Sequence, residues 1–99
     1  MSALSWHPDA LVDVARMYDF LAPFSPMAAQ RAAAVISEAA DRVAENPLIG
    51  ARRAEFREWT AKFGRSAYIL RYAILDDGGV LITHVWHSRE LRADEAVGQ

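Results

Sequence analysis

The chain has 99 residues, a formal net charge of −2, 53% hydrophobic and 24% charged residues, and no cysteine. That length holds one domain with one modest core, and the composition is that of a globular protein rather than a disordered tail. The missing thiols exclude disulfides, thiolate metal sites and cysteine nucleophiles, and a slightly negative chain is unsuited to wrapping polyanionic backbone, so direct sequence-specific nucleic-acid binding is not expected.

No apolar run approaches the ~20 residues of a membrane span, and the start, Met1-Ser-Ala-Leu-Ser-Trp6, lacks the basic region of a signal peptide. A soluble cytoplasmic protein without membrane contact is the expectation. Charge is unevenly spread: residues 1–49 carry a net −3, residues 50–92 a net +3, and Asp94 and Glu95 supply the rest.

In chain order, Leu4-Ser5-Trp6 alternates apolar and polar residues, as a short strand does. Pro8 suits the first turn of a helix, where its missing N–H costs nothing. Leu11, Val14 or Ala15, Tyr18 and Leu21 recur at helical spacing and predict a helix over about residues 9–22. Pro23-Phe-Ser-Pro26 breaks it. Ser25 as N-cap with Pro26 at the first helical position starts a second, alanine-rich helix reaching about Asn46. Its small side chains predict close approach of the first helix, hence an antiparallel helical hairpin.

Residues 47–55 read as a loop, and Phe56 to Ala61 as a strand with Trp59 turned inward. Two runs rich in β-branched and aromatic residues follow, 65–75 and 80–89, separated by Asp76-Asp77-Gly78-Gly79, whose residue types accept positive φ. This is the pattern of an antiparallel hairpin. In its first strand Tyr68, Leu70, Tyr72 and Ile74 share the parity expected to face the core, while Arg65, Ala67, Ile69, Arg71, Ala73 and Leu75 face outward. An outward face carrying Ile69 and Leu75 beside arginines is greasier than water requires, which points to a partner. The expected order is β-α-α-β-β-β, an α+β fold with an N-terminal strand and a helical hairpin on a small antiparallel sheet. It forms one domain over residues 1–92, followed by a polar tail at 93–99.

No glycine-rich phosphate loop, nucleophile elbow or metal-spaced cluster is present, so neither cofactor nor metal is expected. His84 and His87, three apart on a strand, fall on opposite faces and cannot chelate together. Trp6, Trp59 and Trp86 are expected in core or rim packing.

The element order, the Pro47-Leu-Ile-Gly50 loop after the second helix, the Arg-x-x-Tyr-x-x-x-Tyr strand (Arg65, Tyr68, Tyr72) and the closing Val85-Trp-His-Ser-Arg89 run together resemble the RelE/ParE toxins of bacterial type II toxin–antitoxin pairs. The resemblance spans about residues 3–92 and implies a toxin held inactive by a cognate antitoxin in a hetero-oligomer. RelE-type members, which cut mRNA in the ribosome, use paired lysines on the second strand, an arginine directly after the third-strand tyrosine, and a late arginine and tyrosine. Here Arg57-Glu58, Ile69 and no tyrosine beyond Tyr72 stand instead, and Arg89 matches the late arginine only with a one-residue shift. The closing run is more like the ParE branch, whose studied members poison DNA gyrase by binding it.

The resemblance therefore implies a ParE-like toxin without catalytic residues. Its antitoxin- or target-binding surface is expected to include Arg65, Ile69, Arg71, His87 and Arg89. Replacing Arg71 or Arg89 is expected to weaken binding without unfolding the domain. Two other readings stay open: a ribosome-dependent endoribonuclease in which Arg65, Arg71, His87 and Arg89 carry the phosphate chemistry, and a non-toxic binding module on the same fold.

Overall fold

A computed structural model describes residues 3–90. Strand β1 (Leu4–Trp6) leads into helix α1 (Pro8–Leu21), helix α2 (Pro26–Glu45), and strands β2 (Ala51–Arg53), β3 (Phe56–Phe63), β4 (Ser66–Ile74) and β5 (Val80–His87). The expected polar tail at 93–99 lies outside the described residues.

Both helices start as their prolines require. His7 caps α1, its Nδ1 accepting from Asp9 N–H at 3.0 Å, and Ser25 Oγ accepts from Ala28 N–H at 3.1 Å to cap α2. Each bond satisfies one of the amides a helix leaves unpaired in its first turn. Small side chains make up much of the buried face of α2: Ala29, Ala32, Ala39, Ala40 and Ala44 are buried.

The strands form one sheet in the order β1-β5-β4-β3-β2. Three of its four pairings are antiparallel, while β1 runs parallel to β5, so the sheet is mixed. The α+β class stands, with two features the sequence pattern does not show: this parallel edge, and strand β2 within the stretch 47–55 that reads as a loop. One face of the sheet packs on the helices. Tyr68, Leu70 and Tyr72 of β4 meet Met17, Ile36 and Val43 there, with Ile82 and Val85 of β5. Ile74, assigned to the same face, ends β4 at 40% exposure rather than in the core. A fully buried side chain such as Leu70 contributes about 2 kcal/mol.

Two local features position the functional surfaces. First, the β4–β5 register slips: Arg71 pairs with His84 but Tyr72 pairs with Ile82, leaving Thr83 as an extra residue that donates its hydroxyl to Arg71 O at 3.2 Å. This β-bulge resets the alternation of β5. Val80, Ile82 and Val85 are buried on the helix side, and His84 and Trp86 pair outward with Arg71 and Ile69. Second, Tyr72 Oη donates to Pro47 O at 2.7 Å and accepts from Gly50 N–H at 2.9 Å. Arg57 Nη1 adds a bond to Gly50 O at 2.8 Å. A Cβ on residue 50 would lie 2.5 Å from Tyr72 Oη and 2.8 Å from Glu58 O, so the Pro-x-x-Gly loop needs its glycine for this close approach.

Candidate functional site on the outward face of the sheet

The outward face of the sheet centres on Arg71. Neighbouring strands place Glu58 beside it on β3, His84 beside it on β5, and Phe56 and Trp86 one step away. Its Nε and Nη2 both donate to Glu58 Oε2, at 3.2 and 3.0 Å. The guanidinium lies 3.7 Å from the Phe56 ring centroid and 4.7 Å from that of Trp86, cation–π distances on both sides. Trp86 in turn stacks on His84, with centroids 5.2 Å apart and planes 26° from parallel. Glu58 is 7% exposed and receives a second cation, Arg53 Nε, at 3.5 Å from Oε1.

A buried carboxylate is tolerated only with its charge and lone pairs met, so Arg71 holds the sheet together here. Strand parity alone makes Arg71 a partner anchor that can be removed without unfolding. The structure argues against the second half of that expectation, because removal would take two hydrogen bonds from the buried Glu58 carboxylate. Sequence reasoning does not place Glu58, Phe56 and Trp86 in this cluster. A charged residue on a strand reads as solvated unless its cross-strand partner is known, and Trp86 reaches this face only through the bulge.

The other candidate residues do not share the cluster. Ile69, half-buried between Thr60 and Trp86, gives the face its apolar strip. Arg65 lies in the β3–β4 turn and Arg89 past the end of β5, both exposed. His87 pairs with Tyr68 on the helix side of the sheet, rings edge to face with centroids 5.3 Å apart. Arg89 N–H donates to His87 Nδ1 at 3.2 Å, so the neutral ring carries its proton on Nε2 and donates to Ser66 Oγ, 2.9 Å away. Ser66 hands its own proton to Phe63 O at 3.1 Å. From Nε2 through Ser66 to Phe63 O the protons run away from His87, the reverse of the serine-to-histidine donation that a nucleophile and its base require. Burial, with the Glu90 charge adding to it, raises the Tyr68 phenol above its usual 10.0 and keeps it neutral.

Among the described residues no three histidine or carboxylate side chains converge as a metal site, and no helix is long and apolar enough to cross a membrane. The largest exposed apolar side chains lie on the helical hairpin: Phe20 at 71%, Phe24 at 81% and Met27 at 68% exposure at its tip. Leu11, Val14 and Tyr18 line a groove of about 430 Å³ between α1 and α2. Helix periodicity names these residues but cannot tell a groove from a buried seam.

A helical hairpin thus packs on one face of a mixed five-stranded sheet, whose other face carries the arginine–aromatic cluster. The sequence profile of the family described as "ParE toxin of type II toxin-antitoxin system, parDE" matches residues 4–92. The chain is 36% identical over 92 residues to "Toxin RelE2" of Caulobacter vibrioides, covering 92% of this chain and all of that one, and 31% identical over 93 residues to "Toxin RelE3" of the same organism, covering 93% and 100%. A solved structure described as "Chromosomal ParDE TA system from P. aeruginosa" superposes with a TM-score of 0.70 over 90% of this chain and 98% of that one, at 19% identity, a likeness of fold alone. The chain belongs to the ParE toxin family of type II toxin–antitoxin systems. As a toxin of this class it has a cognate antitoxin as partner.

Proposed function

We propose that the protein stops growth by binding a cytoplasmic target, DNA gyrase, rather than by cutting RNA, and that its antitoxin neutralises it by covering exposed apolar surface. Carrying this reading is the state of Arg71, the central cation of the outward face, which is already committed to Glu58 and two aromatic rings. Cleavage by a 2′-hydroxyl needs a base, a cation for the phosphorane and an acid for the leaving oxygen. Of the residues a nuclease would use here, Arg65, His87 and Arg89 lie at one end of the β4–β5 hairpin, while Arg71, the cation of the outward face, stands apart from them and is held by Glu58. The outward side also carries half-buried Ile69 between Thr60 and Trp86, with exposed Arg65 and Arg89 at one end of the hairpin, a surface suited to docking against an acidic protein patch.

The test adds the purified chain to gyrase, relaxed plasmid and ATP. Inhibited supercoiling or a trapped cleaved-DNA complex is the expected result, with intact transcripts by primer extension in induced cells. Codon-linked cuts in those transcripts with unimpaired gyrase would overturn the reading. The RelE names of the Caulobacter relatives favour that second outcome, a ribosome-dependent endoribonuclease. Normal growth on induction without the antitoxin would instead mark a non-toxic binding module.

A further inference from the structure

Strand β1 covers β5 only from Val80 to Ile82. Beyond that point, among the described residues, no strand lies against the outer edge of β5. The amides of Val85 and His87 point to that edge, since successive N–H groups of a strand face opposite sides. Such an edge is a template for another strand.

Side chains close it. Val85 N–H donates to Asp13 Oδ2 of α1 at 2.9 Å. His87 is closed twice by one residue: its N–H donates to Glu90 Oε1 at 3.0 Å, and its C=O accepts from Glu90 N–H at 2.9 Å. Arg16 joins the two carboxylates, Nη2 lying 3.6 Å from Asp13 Oδ1 and Nη1 3.1 Å from Glu90 Oε2. Carboxylates from the first helix and from the end of the last strand thus meet on one short edge through one arginine.

We propose that Asp13, Arg16 and Glu90 form a latch that keeps the outer edge of β5 from pairing with the same edge of a second copy of the chain. A second copy is the occupant the geometry favours. A two-fold axis at Trp86 sets Val85 of one copy opposite His87 of the other, so each amide meets the other's carbonyl and the two sheets become continuous. Three features of the latch oppose that arrangement. The amides are already bonded, the His87 carbonyl is occupied, and the symmetric approach brings Asp13 and Glu90 of one copy against those of the other, carboxylate to carboxylate. Because the latch concerns only backbone groups at β5, it is independent of which cellular target the toxin binds.

The experiment compares the full chain with its Asp13→Ala/Glu90→Ala variant by sedimentation and residue-resolved amide exchange. The parent is expected to stay a monomer at all concentrations. In the variant the Val85 and His87 amides exchange at least about tenfold faster when dilute. As concentration rises, its mass climbs towards two chains and those same amides regain protection. Asp13→Asn/Glu90→Gln, which keeps an acceptor at each amide, is expected to be less associated than the alanine pair. A variant that remains monomeric, or one that associates while Val85 and His87 stay fast, overturns the proposal. Should the double variant lose protection at Leu70 and Tyr72 as well, Glu90→Ala alone, which leaves Asp13 and its bond to Val85 N–H in place, is measured in the same way at His87, and the same two results overturn the proposal.

Discussion

Glu58 and Arg71 face each other across β3 and β4 with 3.0 Å between Oε2 and Nη2, and their side chains are 6% and 16% exposed. A pair this buried differs from a surface ion pair: desolvation has already been incurred, so breaking one side costs more than the pair itself contributes. Arg71→Ala is therefore expected to destabilise the domain by about 3 kcal/mol, through the two hydrogen bonds lost by a Glu58 carboxylate that keeps Arg53 at 3.5 Å. Glu58→Leu combined with Arg71→Met is expected to lie within about 1 kcal/mol of the parent, since it removes both charges and keeps the volume. Urea melts of the three proteins decide it. Equal losses in the single and double variants would mean that packing, not charge, governs the site.

The loop anchored by Tyr72 gives a second expectation. Tyr72→Phe removes the bonds to Pro47 O and Gly50 N–H at a buried position and is expected to cost about 2 kcal/mol. Gly50→Ala places a methyl 2.5 Å from the same oxygen. In the Tyr72→Phe background that oxygen is gone, so the alanine should cost less there than in the parent, although the 2.8 Å approach to Glu58 O remains. A double-mutant cycle measured by thermal melting reads the coupling.

Alkaline stability follows from Tyr68. Burial, reinforced by Glu90, raises its folded-state value above 10.0, and burial does the same for Tyr72 against the opposing Gly50 bond and Arg57 charge. The folded protein holds these protons more tightly than the unfolded chain. Their contribution is therefore complete below pH 10 and is lost as pH rises through the folded values. Stability should be flat in these residues at neutral pH and fall above about pH 10. Tyr68→Phe should flatten that fall, measured as urea midpoints at alkaline pH. An unchanged slope in Tyr68→Phe would show that Tyr68 does not govern the alkaline limb.

Arg65 and Arg89 are exposed and lie outside the Glu58 cluster. Arg65→Glu and Arg89→Glu should each leave the melting temperature near that of the parent and weaken growth inhibition or antitoxin affinity. Growth curves and calorimetry with the antitoxin separate the two effects. Full toxicity and full affinity in the double variant would remove both arginines from the docking surface.

Much of the fold is legible in the sequence for reasons that can be traced to residues. The core parity of Tyr68, Leu70 and Tyr72, the proline-capped helix starts and the hairpin follow from periodicities of two and 3.6 and from caps two or three residues long. Long-range relations are not legible. Strand β2 is Ala51-Arg52-Arg53, exposed throughout, with no alternation to announce it. The parallel pairing of β1 with β5 joins segments more than 70 residues apart. The sequence shows Glu58 and Arg71 as two charges thirteen positions apart, and only the register between β3 and β4 makes them one group.

The unpaired Thr83 works like a frameshift written in geometry. Upstream of it β5 is in one reading frame with the helices and downstream in the other, so His84 and Trp86 are displayed outward although simple counting from Ile82 would turn them in. Deleting that single residue would make the Tyr72–Ile82 and Arg71–His84 pairs consecutive and leave Trp86 on its outward side. Keeping Thr83 but drawing it into regular pairing would instead set it against Arg71 and turn Trp86 in against Tyr68. The downstream end of the surface is thus fixed by where the chain buckles rather than by how many residues it counts.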